Sequence, residues 1–441
     1  MEALGFAAIF LFVLFLLLGS GVWVALALIG VAVTGMELFT ARPAGDAMIT
    51  TIWSTSSSWT LTALPLFIWM GEILYRTRLS EDMFRGLSPW MTGLPGGLLH
   101  TNIVGCTIFA AVSGSSAATL TTVGKMAIPE LRRRGYPEFM TIGTLAGAAT
   151  LGLMIPPSLT LIVYGVTINE SISKLFMAGI LPGLVLALGF MGYVVGWHYL
   201  RPGQRPAPEP RMPLRQRLWA ARALIPVLLL VAFVIGSMYL GFATATEAAA
   251  FGVVGALVLA AGQGALTPAS FGASLMGAVR TSAMVAFILM GAAFLSLAMG
   301  FTGLPRALAG FIAGLELSPF ALILALTVFY IVIGCFLDGI SSVVLTMAVV
   351  EPMVNVPAFR ELGFDMIWFG IFVVVVVEMA QITPPIGFNL FVMQGLAGRE
   401  IGYVARTAFP MFLIMLAMVG VLLMLPELAT WLPETMRTRP G

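Results

Sequence analysis

Charge is what this sequence has least of. Only 10% of its 441 residues are charged, whereas soluble domains carry about 25%. Hydrophobic residues make up 59%, the mean hydropathy is +1.02, and several apolar runs reach the ~20 residues that cross a bilayer. These values exclude an ordinary soluble domain and predict an all-α polytopic protein of the lipid bilayer. The net charge of +2 says little about partners, and no nucleic-acid partner is predicted.

Residues that support catalysis or ATP binding are equally scarce. The two histidines, His100 and His198, are isolated, which argues against a histidine metal site or a Ser-His triad. The phosphate-binding pattern G-x-x-x-x-G-K-[ST] is absent, since the run Gly124–Met126 lacks its first glycine and its hydroxyl residue. Cys106 and Cys335 lie in apolar helical context and are interpreted as small buried hydrophobic residues. The sequence therefore predicts neither an enzyme nor an ATP-driven engine.

The first apolar run, Ala3 to Phe39, is too long for a signal peptide and lacks a basic beginning. We interpret it as membrane structure of the mature protein. Gly19-Ser20-Gly21 in its middle predicts two helices with a break between them.

One polar linker divides the chain. The stretch His198 to Arg222 combines five prolines with six arginines, which are Arg201, Arg205, Arg211, Arg215, Arg217 and Arg222. The positive-inside rule places this linker in the cytoplasm. Its end, Met212 to Ala223, is predicted to lie in the membrane interface as a basic amphipathic helix. The side chains predicted to face lipid are Leu214, Leu218 and Trp219.

The two halves repeat each other. Ser113-Gly114-Ser115-Ser116 corresponds to Asp338–Ser342, because 338 − 113 = 225, and Pro156-Pro157 corresponds to Pro384-Pro385, because 384 − 156 = 228. Gly135-Tyr136 and Gly363-Phe364 fall between these landmarks at the same offset of 228. Landmarks at nearly one spacing indicate an internal duplication. The predicted organisation is a first repeat at 1–200, a linker at 201–222 and a second repeat at 223–441.

The repeats are predicted to be inverted. Traced backward from the cytoplasmic linker, the span at about 175–197 crosses outward, and the segment 138–168 returns beside a second basic cluster, Arg132–Arg134. Traced forward from the linker, three membrane spans between 223 and 300 carry the chain to the outside. The second motif therefore enters the membrane from outside. The two motifs thus enter from opposite faces, as in secondary transporters. We predict about ten full spans and two re-entrant hairpins.

Small polar residues at membrane depth mark each predicted hairpin. The segment Ala111–Leu120 (AVSGSSAATL) belongs to a hairpin predicted at about 98–135, and Asp338–Ser342 with Thr346 to one at about 318–360. Irregular backbone is tolerated in a bilayer only where it is buried or lines a cavity. Free carbonyls and hydroxyls at such a place suit a hard cation such as Na⁺.

Tight helix packing is the alternative explanation for small residues. It is how we interpret the Gly143–Gly147 and Gly179–Gly183 pairs, which have GxxxG spacing. The hairpin motif differs because it occurs twice, each time about 40 to 45 residues before a Pro-Pro pair. This repetition favours an ion site over packing.

Paired prolines predict a break in one helix of each half. Pro156-Pro157 lies inside 138–168, and Pro384-Pro385 lies inside 366–397. Proline removes a backbone donor and clashes with the preceding turn, so each pair should unwind its helix and free carbonyls. The polar residues beside the breaks are Ser158, Thr383 and Asn389. A hairpin tip facing an unwound helix in each half predicts two related ion sites with substrate between them.

Polar side chains near the second break leave several roles open. Glu378 and Gln381 precede it, and Asp338 lies at the second hairpin. Intramembrane carboxylates are functional candidates, and these could ligate the ion, accept a proton, or cap a broken helix. Glu72 is interpreted as structural or interfacial. The predicted substrate-binding residues are Ser158, Asp338 and Asn389.

Four stretches carry a resemblance to a known family. They are SGSSAATLTTVGKMAIPEL (Ser113–Leu131), LGLMIPPSLTLIVYG (Leu151–Gly165), DGISSVVLTMAVVEP (Asp338–Pro352) and ITPPIGFNLFV (Ile382–Val392). Over essentially its whole length the chain resembles the large membrane subunit (M subunit, DctM-like) of tripartite ATP-independent periplasmic (TRAP) transporters. That family belongs to the elevator-type ion-transporter superfamily.

The resemblance implies Na⁺-coupled uptake of a carboxylate- or sulfonate-bearing solute across the bacterial cytoplasmic (inner) membrane. It implies two partners, a periplasmic substrate-binding protein and a small four-helix membrane subunit, the latter expected on a separate chain. It assigns the ion sites to Ser113, Gly114, Ser115, Ser116, Thr150, Pro156 and Pro157 in the first half. In the second half it assigns them to Gly339, Ser341, Ser342, Thr383, Pro384 and Pro385.

Two further interpretations compete with this one. A stand-alone Na⁺/dicarboxylate symporter or antiporter of the same superfamily would share the hairpins and the inverted repeats. An ion channel is disfavoured, because discontinuous helices in both halves suit alternating access better than an open pore. In the favoured interpretation the mobile unit comprises the hairpins at 98–135 and 318–360 and the broken helices at 138–168 and 366–397. The other spans, including those that flank the linker, form a static scaffold.

Overall fold

The structure, a computed structural model, describes residues 2–206, 212–303, 310, 314, 317–385 and 387–437. Every regular element in these ranges is a helix, which confirms the predicted all-α class. Within the same ranges six helices are long and apolar enough to cross a membrane, and eight shorter apolar helices accompany them. The predicted number of about ten spans stays a prediction.

The helices sort into two packed groups. An outer group presents many large apolar side chains on its surface, such as Phe12, Trp23 and Phe233. Its main helices are Glu2–Gly19, Val24–Phe39, Ala63–Tyr75, Ile225–Tyr239, Ala245–Gly262 and Pro268–Thr302. The predicted break in the first apolar run falls between the first two of these, where Gly21 has a φ of 82°. The second group, here called the core group, contains the repeated motifs.

The first hairpin consists of Leu99–Ser113 and Ser116–Arg133. The chain reverses at Gly114, whose φ of 60° is a left-handed conformation that glycine adopts without steric penalty. Ser115 then begins the second arm as its N-cap, with its hydroxyl accepting from the backbone N–H of Ala118.

The first broken helix runs from Glu138 to Ile168 and is interrupted at the paired prolines. Its regular parts are Glu138–Ala149, Leu151–Met154 and Leu159–Ile168. The Pro156-Pro157 bond is cis. Because neither proline has an N–H to donate, the helical ladder stops here, and Ser158 restarts it by accepting from the N–H of Leu161.

The second repeat contains the same pair of elements. Its hairpin consists of Pro319–Gly334 and Gly339–Val354, followed by the short helix Pro357–Arg360. Its broken helix consists of Met366–Gln381 and Phe388–Ala397, with a cis Pro384-Pro385 bond in the interruption.

Two long helices, here called the flanking helices, run beside both broken helices. They are Ile172–Leu200 and Ile401–Met424. The second begins beside the start of the first broken helix, where Arg399 pairs with Glu138 at 2.6 Å. It ends beside the start of the second broken helix, where Trp368 Nε1 donates to the Leu422 carbonyl at 3.0 Å. Since each broken helix starts where its hairpin ends, the two hairpins enter the core group from opposite ends.

Glycines let the flanking helices approach the broken helices closely. A Cβ on Gly147 would overlap the side chain of Met411, and one on Gly179 would overlap the Met154 carbonyl. A Cβ on Gly183 would lie 2.8 Å from Ile155 Cγ1. These contacts confirm that the two GxxxG pairs serve helix packing.

The end of the linker forms the helix Leu214–Ala221, within the predicted Met212–Ala223; Arg211 lies outside the described residues. Leu214, Leu218 and Trp219 are all exposed, Trp219 by 64%, and the guanidinium of Arg222 stacks 3.9 Å from the Trp219 ring centroid. The exposed apolar side chains and the basic residues are those expected of an interfacial helix.

Candidate functional site

The tip of the first hairpin sits directly on the first break. The backbone N–H of Leu159 donates to the Gly114 carbonyl at 3.3 Å. A Cβ on Gly114 would lie 2.6 Å from the Pro157 carbonyl oxygen, and one on Gly152 would lie 2.7 Å from the Ser115 carbonyl oxygen. Both positions therefore need glycine for the tip and the break to touch.

The hydroxyls at this tip are arranged around its own backbone. The oxygens Ser113 Oγ and Thr119 Oγ1 lie 2.9 Å apart, and Thr119 donates to the Ser115 carbonyl at 2.8 Å. Ser113 and Ser115 are only partly buried. The tip thus gathers three neutral hydroxyls and the Ser115 carbonyl close to the Pro157 carbonyl, which is the donor set that a hard monovalent cation takes.

The same tip also contacts the second break through Ser116. Ser116 is 2% exposed, and its hydroxyl donates to Gln381 Oε1 at 2.9 Å. It accepts from Asn389 Nδ2 at 3.1 Å. Gln381 ends one half of the second broken helix, and Asn389 lies in the first turn of the other half. This polar triad therefore joins the two repeats across the interruption.

The tip of the second hairpin is organised by Asp338. Its Oδ2 accepts from the N–H groups of Ile340 at 3.1 Å and Ser341 at 3.3 Å, and its Oδ1 accepts from the Ser341 hydroxyl. A carboxylate at this position satisfies free donors and meets the positive end of the helix dipole. Of the roles left open by the sequence, the structure shows helix capping for Asp338.

The second tip reaches both breaks. A Cβ on Gly339 would lie 2.8 Å from Leu153 Cδ1, in the first broken helix, and 2.9 Å from Gln381 Nε2, in the second. The thiol of Cys335 lies 3.4 Å from the Pro384 carbonyl oxygen and donates to it. Cys106 and Cys335 are both buried free thiols, as predicted.

Several predicted site residues use their hydroxyls within their own segment. Thr150 donates to the Gly147 carbonyl at 2.6 Å, and Thr383 donates to the Met379 carbonyl at 2.6 Å. Ser158 donates to the Leu153 carbonyl and is fully buried. These oxygens keep lone pairs that a cation could use, but in this conformation their protons are engaged.

Ser342 differs from these residues. Its side chain is fully buried, and its Oγ has no hydrogen-bond partner among the described residues. Such orphaned oxygens are uncommon in native interiors and often mark a bound ion or water. Within the described ranges no group of three His, Cys, Asp or Glu residues could hold a metal. Any cation here would therefore be bound mainly by neutral oxygens.

The two breaks differ in their surroundings. Pro156 and Pro157 are buried, whereas Pro384 and Pro385 are exposed. A cavity of about 400 Å³ borders the second break and is lined in part by Thr383 and Arg406. A larger cleft of about 660 Å³ separates the second hairpin from the outer group, and its polar lining includes Glu351, Asn169, Ser54, Thr55, Ser58 and Ser296.

Sequence reasoning noted Gln381 without assigning it to the site. The signal was present, because Gln381 is a polar side chain at the end of the largely apolar stretch Ile371–Ala380 and lies three residues before Pro384. Glu72 pairs with Arg76 one helical turn away, which confirms its structural interpretation. His198 Nδ1 accepts from the N–H of Gly96 at 3.1 Å, and His100 Nε2 lies 2.7 Å from the Pro95 carbonyl. Both histidines therefore contact the backbone of the same turn before the first hairpin.

Comparisons with known proteins agree with this architecture. The family model described as "Tripartite ATP-independent periplasmic transporter, DctM component" matches residues 9–428. The C4-dicarboxylate TRAP transporter large permease protein DctM of Pseudomonas aeruginosa is 33% identical over 384 residues, covering 87% of this chain and 88% of that protein. The isethionate TRAP transporter permease protein DctMQ of Oleidesulfovibrio alaskensis is 31% identical over 426 residues, covering 95% of this chain and 64% of that protein.

One solved structure shares the fold. The crystal structure of the Alcanivorax borkumensis YdaH transporter, described as having an unusual topology, aligns with a TM-score of 0.66. The alignment covers 93% of this chain and 96% of that one at 15% sequence identity.

Proposed function

The chain belongs to the DctM family of tripartite ATP-independent periplasmic transporters, and from this premise we propose that it uses a sodium gradient to import a small acidic solute. Large permease proteins of this family work with a small membrane subunit and a periplasmic binding protein. We place this chain in the bacterial inner membrane with both partners.

The observation that carries the sodium proposal is the seating of each hairpin tip on a helix break. At the first junction, where the first hairpin tip meets the first break, the Ser113 hydroxyl and the Ser115 carbonyl lie close to the Pro157 carbonyl. At the second, the buried Ser342 hydroxyl has no hydrogen-bond partner among the described residues, and the Pro384 carbonyl of the break lies 3.4 Å from the Cys335 thiol of the hairpin. Sodium prefers such neutral oxygen donors, and broken helices provide them inside a membrane.

The solute is proposed to carry a carboxylate or a sulfonate. The two named relatives transport a C4-dicarboxylate and isethionate, and both solutes are anions. Asn389, whose amide lies between the first hairpin and the second break, is the best-placed donor for such a group. Asp338 is less suited to direct contact, because its carboxylate would repel the solute, and its capping bonds give it another task.

We propose an elevator-type movement, which the division of the helices into two groups supports. The core group would move as one body against the outer group, with each hairpin sealing one face of the membrane. The close contact of Gly179 with the Met154 carbonyl ties the flanking helix Ile172–Leu200 to the first break. We therefore include both flanking helices in the mobile unit, whereas the sequence had suggested that spans beside the linker belong to the scaffold.

Reconstitution tests this function. The purified chain in liposomes with an inward sodium gradient should take up no solute until the small subunit and the loaded binding protein are added. Uptake should then collapse when the sodium gradient is dissipated. Robust uptake of free solute by the chain alone would contradict the tripartite proposal and favour a stand-alone symporter.

A further inference from the structure

The helix Met366–Gln381 carries one ionisable side chain, Glu378. This residue is 1% exposed, and neither carboxyl oxygen has a hydrogen-bond partner among the described residues. Other carboxylates are engaged: Glu72 pairs with Arg76, and Asp338 caps a helix. An ionised carboxylate without a partner is strongly disfavoured in an apolar interior, so Glu378 must be neutralised in this conformation.

The groups around Glu378 do not supply a counter-charge. Within the described part of the chain, neither carboxyl oxygen accepts or donates a hydrogen bond. Buried titratable side chains on the described elements that pack against this helix include Tyr164, Tyr330 and Cys335, and none of them is cationic. Tyr164 donates to the Met366 carbonyl at 2.6 Å, and Tyr330 lies 2.8 Å from Thr346 Oγ1. Since no group of three His, Cys, Asp or Glu residues and no hydrogen-bond partner surrounds this carboxyl in the described ranges, a proton is the cation that neutralises it most simply.

Glu378 lies one helical turn from the joint between the repeats. Residues three apart share a helix face, so Glu378 neighbours Gln381, which holds Ser116 of the first hairpin. The helix ends at Gln381, and Pro384 and Pro385 beyond it are exposed. Three helical residues at 1.5 Å each put the end of this helix, where the exposed break begins, about 4.5 Å from Glu378 along the axis. A modest opening of the break would hydrate the carboxyl.

The duplication gives this position a counterpart. Pro156 and Pro384 differ by 228, and the same offset relates Thr150 to Glu378, because 378 − 150 = 228. In the first repeat the Thr150 hydroxyl donates to the Gly147 carbonyl and needs no further partner. In the second repeat a carboxyl stands at the same place, and no residue that the structure describes hydrogen-bonds to it. The two halves therefore differ in chemistry at equivalent positions.

We propose that Glu378 carries a proton through the transport cycle, in addition to the sodium ions of the proposed function. While Ser116 of the first hairpin is hydrogen-bonded to Gln381, the Glu378 carboxyl keeps its proton. When the tip leaves and water reaches the break, the O–H bond breaks, the proton passes to water, and the hydrated carboxylate remains. The carboxylate stays hydrated in the opened break while the emptied core group returns. Reprotonation from the opposite face then resets the residue, so one proton moves inward with each solute.

The test uses the complete complex in liposomes that contain a pH-sensitive dye, with the membrane potential clamped. Solute import under a sodium gradient should acidify the lumen. Glu378→Gln keeps the shape of a neutral acid but cannot release a proton, so it should lose at least nine-tenths of this solute-driven acidification. Glu72→Gln changes a carboxyl that is already paired, and it should acidify like the wild type.

Two results would overturn the proposal. One is wild-type import with no change of lumen pH, which needs no variant and is independent of how Glu378→Gln folds. The other is acidification by Glu378→Gln at the wild-type rate. A second measurement tests the protonation of Glu378 itself. As the pH rises, the melting temperature of the wild type should fall more than that of Glu378→Gln. Acidification that persists without sodium would refute the sodium proposal but not the proposal that Glu378 carries a proton.

Discussion

The triad of Ser116, Gln381 and Asn389 makes the sharpest mutational prediction. Ser116→Ala removes the hydroxyl that donates to Gln381 at 2.9 Å and accepts from Asn389 at 3.1 Å. It removes no apolar contact, because alanine keeps the Cβ. The polar ends of Gln381 and Asn389 then stay buried without their shared partner.

The magnitude follows from the cost of such unpaired groups. A net hydrogen bond contributes about 0.5–1.5 kcal/mol, and stranding a buried polar group costs about 1–3 kcal/mol. We therefore expect Ser116→Ala to destabilise the closed first hairpin by about 2–3 kcal/mol. If sodium binds only with this hairpin closed, apparent sodium affinity should fall at least tenfold, since ~1.4 kcal/mol corresponds to a factor of ten.

A double-mutant cycle separates this interaction from general damage. Apparent sodium affinity would be measured from the sodium dependence of the melting temperature for Ser116→Ala, Asn389→Ala and the double variant. A coupling free energy of about 1 kcal/mol is expected between the two residues. Thr121→Ala is the matched control, because that hydroxyl bonds only to the Ala117 carbonyl of its own helix. Effects of the two single changes that add within about 0.3 kcal/mol would refute the reasoning.

Two further predictions concern the mobile unit. Gly179→Ala places a methyl group against the Met154 carbonyl and should cost about 1–3 kcal/mol of stability by overpacking, measured as a lower melting temperature. Gly192→Ala on the same helix meets nothing within 4 Å and should melt at or slightly above the wild-type temperature; equal losses at both sites would contradict the packing argument. Cysteines replacing Ala348 and Ala293, which line the cleft between the second hairpin and the outer group, should block transport when cross-linked while sodium binding persists. Normal transport by cross-linked molecules would rule out the elevator movement.

Local chemistry explains what the sequence could predict. A Pro-Pro pair stops a helix wherever it stands, because two consecutive donors are missing, so both interruptions could be placed without knowing their neighbours. Gly114 and the capping residues Ser115 and Asp338 likewise mark chain reversals through their own conformational preferences. The hairpins and broken helices therefore have local signals in the sequence.

Contacts between the repeats had no such signal. Ser116 lies 265 residues from Gln381 and 273 from Asn389, and nothing in the spacing of these residues shows that they meet. The expectation paired each tip with the break of its own repeat. The structure adds a crossed contact, since the first tip bonds to the second break and Gly339 of the second tip contacts Leu153 near the first.

The carboxylates show why burial has to be known before a role can be assigned. In the sequence, Asp338 and Glu378 are both acidic residues beside a predicted ion site, and capping, ion binding and protonation were equally open to them. Asp338 is exposed and satisfied by two backbone N–H groups and a hydroxyl. Glu378 is buried and has no partner among the described residues. The same functional group is thus a structural cap in one place and a candidate proton carrier in the other.

The crossed contacts also constrain how transport can be coupled. If each tip touched only its own break, the two proposed ion sites could fill and empty independently, and a half-loaded protein could move. Because Ser116 bridges to the second break and Gly339 lies between Leu153 and Gln381, opening either tip disturbs the other junction. Because the two contacts between hairpin tips and helix breaks are joined in this way, states with both contacts closed or both opened are favoured over states with only one closed. That property would suppress movement of a partly loaded core group, which is what tight coupling of solute to cations requires.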